Sequence, residues 1–250
     1  GGIAVRTVPN LPNGMLDPAD VEAAIRDDNI HFPRTRLICL ENTHNRCGGA
    51  VLTPAQMATI REVALRHGLA VHLDGARIFN AAVVLGIEAK EIAAQADSVQ
   101  FCFSKGLSAP VGSAICGSAA FIKAARRNRK LVGGAMRQAG VIAAAAIVAL
   151  EQMVDRLAED HENARILAEG LAGIPGFDVH LKAVQSNIVI FGLSTPRLQV
   201  RDVVKALATE GVKIGLISPT RFRAVTHYGI TREDILAALA VARKVMSKLA

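Results

Sequence analysis

Short, continuous apolar runs alternate with capped amphipathic helices along this chain, which restricts it to folds where helices are layered on a buried sheet. The run RLICLE at 36–41 is of the kind that forms a strand buried on both faces, and similar runs follow at 70–73, 98–103 and 113–116. Between them stand helix signals. Asp17 can accept from free backbone donors, Pro18 has no donor to waste, and Asp20 suits the positive end of the helix dipole, which predicts a helix to about Arg26. Thr53-Pro54-Ala55-Gln56 is a capping box with proline at the first helical position. Met57, Ile60, Val63 and Ala64 then recur at helical spacing until His67 and Gly68. A further helical stretch is expected near 87–95. The implied architecture is α/β, a mostly parallel sheet flanked by helices on both sides.

From 140 to about 171 the chain reads as one long helical region without proline, and its polarity rises after Glu151. A domain boundary is expected along it. Beyond lie strands near 177–181, 187–192, 212–217 and 223–227, with helices near 200–210 and 231–249, a small second α/β domain. The expected division is therefore a large domain over 1–155 and a small one over 156–250. The opening residues, GGIAVRTVPN, read as the tail of a structural element, so the large domain is expected to be incomplete at its amino end.

Composition narrows the function. The longest apolar run, 141–150, has ten residues, too few to span the roughly 30 Å hydrocarbon core of a bilayer, so no membrane segment is expected. A formal charge of +7 and the cluster Arg126, Arg127, Arg129 and Lys130 raise the question of nucleic acid. With no Trp and one Tyr, little is offered for unpaired bases to stack on, and a small anionic ligand fits better. Four cysteines include no C-x-x-C pair, and Cys39, Cys102 and Cys116 sit in apolar runs where thiols behave as small buried hydrophobes. That usage points to a reducing cytosol, hence a cytoplasmic protein. His72 and Asp74 lie two apart on one strand face without a third ligand nearby, and no metal is expected.

In an open α/β sheet, ligands bind beyond the carboxyl ends of the strands. Three segments at such positions are rich in chemistry: 41–45, 74–77 and 104–113. Lys105 emerges from a buried strand between Ser and Gly; a desolvated amine there would be neutral and able to attack an aldehyde, while the plainer reading is a lysine snorkelling to solvent. Asp74 ends its strand and could pair with a protonated pyridine nitrogen; taken alone, Asp-Gly after a strand is more often a turn.

ENTHN at 41–45, HLDGAR at 72–77, SKGLSAPVGS at 104–113 and GGAMRQAG at 133–140, with thirty-one residues from Asp74 to Lys105, together resemble the threonine aldolases. That family has the aminotransferase-like fold, type I of the enzymes dependent on pyridoxal 5'-phosphate (PLP), and the likeness runs in order over nearly the whole chain. It implies that Lys105 holds PLP covalently, that Asp74 pairs with the ring nitrogen, and that Arg77 helps to hold cofactor and substrate carboxylate. RFRAVTH at 221–227 resembles a second carboxylate clamp, with Arg223 the matching arginine and Arg221 a weaker candidate whose plain reading is surface exposure. His44 matches a histidine near the cofactor and the substrate's β-hydroxyl, where it can relay a proton; a lone loop histidine is otherwise structural. Arg137 and Lys130 resemble basic residues that reach the cofactor phosphate or a neighbouring subunit's active site, against the plain reading of helix-end charge.

The implied reaction is retro-aldol cleavage of a β-hydroxy-α-amino acid, L-threonine or L-allo-threonine, to glycine and acetaldehyde. It would serve threonine catabolism and glycine biosynthesis in a homodimer or homotetramer. Where the pattern departs, the family's amino-terminal segment, with a small-residue turn for the phosphate and a histidine that stacks on the ring, has no counterpart in this sequence. Ala135 stands where glycine is expected and Asn128 where an aromatic is common. Apolar sheet surface is accordingly expected to be exposed. Two rival readings stay open: a β-eliminating PLP lyase that shares the lysine and aspartate, and a non-catalytic scaffold that retains the fold.

Overall fold

A computed structural model describes residues 2–249. They divide into two compact units, one comprising the chain up to Thr43 together with Val51–Val154, the other His44–Ala50 together with the chain from Asp155 onward.

The first unit begins with α1 (Pro18–Ala24), capped by Asp17, whose side chain accepts from the Ala19 amide. β1 (Leu37–Glu41) follows, then α2 (Pro54–Arg66), β2 (Ala70–Asp74), α3 (Ile78–Leu85), α4 (Ala89–Ala93), β3 (Ser98–Cys102), β4 (Ser113–Gly117), α5 (Ala119–Leu131) and α6 (Gly140–Gln152). The capping box that opens α2 is formed in both directions: the Gln56 amide donates to Thr53 Oγ1 at 3.2 Å and the Thr53 amide to Gln56 Oε1 at 2.9 Å. Beyond it Met57, Ile60 and Val63 are each 1% exposed. Burying a side chain of this size is worth about 1.5–3 kcal/mol over leaving it in water, which holds α2 on the sheet. The sheet runs β1-β2-β3-β4; the first three strands are parallel and β4 is an antiparallel edge.

Two expectations need correction here, and one helix was not foreseen. The run at 36–41 is buried on one face only: Ile38 and Leu40 enter the core with Val71, Leu73 and Val99, while Leu37 is 48% exposed and Cys39 is exposed. The period of two in a strand puts alternate residues on opposite faces, and α1–α4 bury their apolar residues against one of them. Leu37 and Ile115 are exposed on this sheet. The cysteines are not buried hydrophobes either: Cys39 lies on the open face, Cys102 is half-buried, and Cys116 is exposed on the edge strand. Finally, 78–85 forms a helix that periodicity did not reveal, because IFNAAVVL is apolar almost throughout and carries no amphipathic stripe.

The second unit holds α7 (Leu157–Ala172), β5 (Phe177–Val179), β6 (Ile188–Leu193), α8 (Val200–Thr209), β7 (Gly215–Ser218), β8 (Arg221–Val225) and α9 (Arg232–Leu249). Its sheet, β5-β6-β8-β7, is antiparallel throughout. Phe177, Phe191 and Phe222 meet at centroid distances of 4.6–5.9 Å, and with Leu171, Val203, Leu207, Leu239 and Met246 they make the core. The helical region expected to run unbroken from 140 to 171 is two helices, because the start of α7 is anchored by its own contacts. Arg156 donates to Asp160 through Nη1 and Nη2 at 2.9 and 2.6 Å, and Thr226 Oγ1 donates to the Asp160 carbonyl at 2.6 Å. Among the described residues no helix is long and apolar enough to cross a membrane.

Candidate active-site residues

Because β1, β2 and β3 are parallel, their carboxyl ends share one edge of the first sheet. The backbone laces that edge together: the Asn42 amide donates to the Asp74 carbonyl at 3.0 Å and the Gly75 amide to the Gln100 carbonyl at 2.8 Å. A side chain at 75 would be crowded, since a Cβ there would stand 3.0 Å from the Gln100 carbonyl and 3.2 Å from both Ile78 and Val99 side-chain carbons. Strand alternation turns Val71 and Leu73 into the core and His72 and Asp74 onto the open face. His72 Nδ1 lies 2.8 Å from Ser98 Oγ.

Asp74 is held by one oxygen. Its Oδ1 accepts from the Ala76 amide at 3.1 Å and from Gln100 Nε2, its neighbour in register, while Oδ2 has no hydrogen-bond partner among the described residues. A carboxylate oriented through one oxygen, with the other open, suits a cationic ring N–H, so the residue present fits the group the resemblance implies. On the same face, partial desolvation of its sulfur pushes the Cys39 thiol up although the residue is exposed as a whole, and the Asp74 charge adds to it. Among the described residues no group of three or more His, Cys, Asp or Glu gathers as a metal site would need.

Lys105 lies three residues past the end of β3, on the same edge as Asp74. Its loop is closed by Phe103 donating to Gly112 O at 3.0 Å, Ala109 donating to Phe103 O at 3.0 Å, and Ser108 donating to Lys105 O at 2.9 Å. Leu107 and Ala109 are buried by this turn and Lys105 is left exposed, so the expectation of a deeply set, desolvated amine is not met. Arg77 is half-buried immediately before α3, on the same edge. Lys130, in the last turn of α5, and Arg137, in the turn before α6, are both exposed.

In the second unit, Phe222 and Ala224 of β8 point into the core, which puts Arg221 and Arg223 on its other face. That face is met by the hairpin His44–Ala50. The His44 amide donates to Ala50 O at 2.8 Å and the Gly49 amide to His44 O at 2.9 Å. Gly49 O accepts from the buried Ser186 Oγ at 2.7 Å, and Gly49 has φ 73°, where a Cβ would collide with that same hydroxyl. His44 is 7% exposed, and its Nδ1 accepts from the Cys47 amide at 3.2 Å, so the neutral ring carries its proton on Nε2. Arg223 Nη2 donates to Asn45 Oδ1 at 2.8 Å, its Nε is buried without a partner, and burial lowers its pKa. Arg221 is half-buried, which sets aside simple surface exposure.

Sequence reasoning missed Gln100 and Asn45. Each is an amide whose role exists only through a neighbour in space, Gln100 across the β2–β3 register and Asn45 from 178 residues away in sequence.

The profile of the beta-eliminating lyase family matches residues 1–193. Low-specificity L-threonine aldolase 1 of Arabidopsis thaliana is 44% identical over 94% of this chain and 66% of its own length. The low specificity L-threonine aldolase of Escherichia coli K12 is 42% identical over 94% of this chain and 68% of its own. The chain thus spans about two-thirds of the length of these relatives. A solved threonine aldolase of Leishmania major superposes with a TM-score of 0.80 at 21% identity, covering 98% of this chain and 71% of that one, a likeness of fold. By profile and by identity, the chain belongs to the beta-eliminating lyase family and, within it, to the threonine aldolases.

Proposed function

We propose that this chain carries the greater part of a PLP-dependent aldolase that cleaves β-hydroxy-α-amino acids, L-threonine and L-allo-threonine among them, to glycine and an aldehyde. The observation that carries the reading is Asp74, oriented through Oδ1 by Gln100 and the Ala76 amide with Oδ2 open, on the strand edge where the neighbouring strand delivers Lys105.

PLP, when bound, supplies an electron sink that stabilises the carbanion left on the glycine fragment after cleavage. Lys105 offers the exposed amine that attaches it. Asp74 would hold the ring nitrogen through Oδ2 and keep it protonated, with Gln100 keeping the carboxylate from turning. Arg77 and Arg223 hold the substrate carboxylate; a guanidinium suits that task because it donates in a planar fork. His44, with Nδ1 occupied by the Cys47 amide, would hydrogen-bond the β-hydroxyl through Nε2 and orient it for loss of its proton. Lys130 and Arg137 are the exposed cations for the cofactor phosphate or for the active site of a second copy.

Adding PLP should produce a visible absorption band that borohydride traps on Lys105 and that Lys105→Ala abolishes. Threonine should then yield glycine and acetaldehyde in equal amounts. No band would sink the cofactor reading. Ammonia with an α-keto acid and no glycine would favour the second reading, a β-eliminating lyase, which the family profile's own description motivates. The same proposal extends to a closed homo-oligomer, dimer or tetramer, in the cytoplasm, which light scattering and fractionation would test.

A further inference from the structure

Arg223 carries a positive charge with no carboxylate in contact among the described residues. Burial alone displaces its pKa, its Nε is buried without a partner, and Nη2 meets only the neutral Oδ1 of Asn45 at 2.8 Å. A half-buried guanidinium is ordinarily matched by an anion, because a neutral acceptor returns only part of the hydration that burial removes. Asn45 therefore leaves the charge available while fixing where it sits. Its own position is secured by the hairpin: His44 N to Ala50 O at 2.8 Å closes the ends, and Ser186 Oγ to Gly49 O at 2.7 Å ties the turn to the segment leading into β6.

Resting on the reading of Arg223 as a carboxylate clamp, we infer that Asn45 is a positioning residue, which holds the Arg223 guanidinium through a neutral hydrogen bond so that its charge is kept for the carboxylate of the amino-acid ligand. The side chain's neutrality is the essential property. A carboxylate of the same shape at 45 would pair with Arg223 internally and compete with the ligand, whereas a methyl group would let the guanidinium swing.

Two measurements decide this. In the PLP-loaded protein, glycine and glycinamide are titrated by the visible band into the parent, Asn45→Ala and Asn45→Asp. Asn45→Ala should weaken glycine about tenfold and Asn45→Asp more, with glycinamide unchanged in both, since only glycine has the carboxylate. Equal weakening of both ligands would make the residue merely structural and overturn the inference, as would no weakening at all. Asn45→Asp is nearly isosteric and keeps the hydrogen bond, so its effect does not depend on tolerance of a truncation.

The second measurement needs no PLP. Acetate is titrated into protein labelled with 15N-arginine, and the Arg223 Nε–H signal, assigned by its loss in Arg223→Lys, is followed. Acetate should move that signal in the parent and leave it unmoved in Asn45→Asp. If PLP gives no band but acetate behaves in this way, the functional reading fails and Asn45 keeps its role. If acetate does not move the signal in the parent, or moves it equally in Asn45→Asp, the inference falls.

Discussion

Each sheet buries one face under helices and carries its chemistry on the other, but the two treat that second face differently. On the first sheet, Asp74 and Lys105 at the carboxyl ends of the strands are exposed, and Leu37 at the amino end of β1 is 48% exposed. On the second, the hairpin His44–Ala50 lies against the corresponding face, so His44 is 7% exposed and Arg223 is desolvated enough for its pKa to fall. The difference shows that strand alternation selects which side chains leave the core, and that a covering segment decides whether they remain in water. Groups on the covered face are bound up with stability; those on the open face are free to be altered at little cost to folding.

Substitutions on the two faces should separate accordingly. The largest effect is expected from Lys105→Ala, with a loss of aldol cleavage of at least about 10³-fold in kcat and an unchanged urea midpoint, because the side chain is exposed. A fall in the midpoint would mean that the open face also carries stability.

Gly49→Ala comes next and probes the covered face. Positive φ and collision with Ser186 Oγ should cost roughly 2–4 kcal/mol, read as a lower urea midpoint with an unchanged slope. A variant as stable as the parent would show that the hairpin is not what desolvates Arg223.

A milder effect should follow from Gln100→Met, which keeps length and removes the donor to Asp74. Aldol cleavage is expected to fall about tenfold in kcat at little cost in stability, as an amide on the open face should behave. An unchanged kcat would mean that the Ala76 amide is sufficient to orient Asp74.

The smallest effect concerns a half-buried base in the second unit. Burial lowers the pKa of His161 from 6.5, partly opposed by the Asp160 charge. The folded state therefore resists protonation that the unfolded chain accepts, so stability from this group is complete above pH 6.5 and is lost as pH falls through the depressed folded value. Denaturant midpoints from pH 7.5 down to pH 5 should decline less in His161→Gln than in the parent, by less than about 1 kcal/mol. Identical declines would remove His161 as a contributor.

Particular residues show how far the chain could be read in advance. α2 was legible because Thr53, Pro54 and Gln56 are neighbours in sequence and the stripe Met57, Ile60, Val63 repeats at the helix's own period. α3 was not, because an apolar stretch without a polar face has no period to read. The same division runs through the site: Asp74 and Lys105 stand in local motifs at strand ends, and Asn45 closes the ENTHN segment, but nothing near Gln100 in sequence marks it and nothing local tells that Asn45 meets Arg223.

What the sequence by itself determined is the order of strands and helices, the turns that follow the strands and the motifs that signal the family, all of them properties of residues close along the chain. Only the tertiary structure decided that one face of the first sheet is open, that Lys105 is exposed rather than sunk, and that Asn45 meets Arg223 across 178 residues. Burial and pairing at a distance depend on which surfaces the folded chain brings into contact, and no local pattern encodes them.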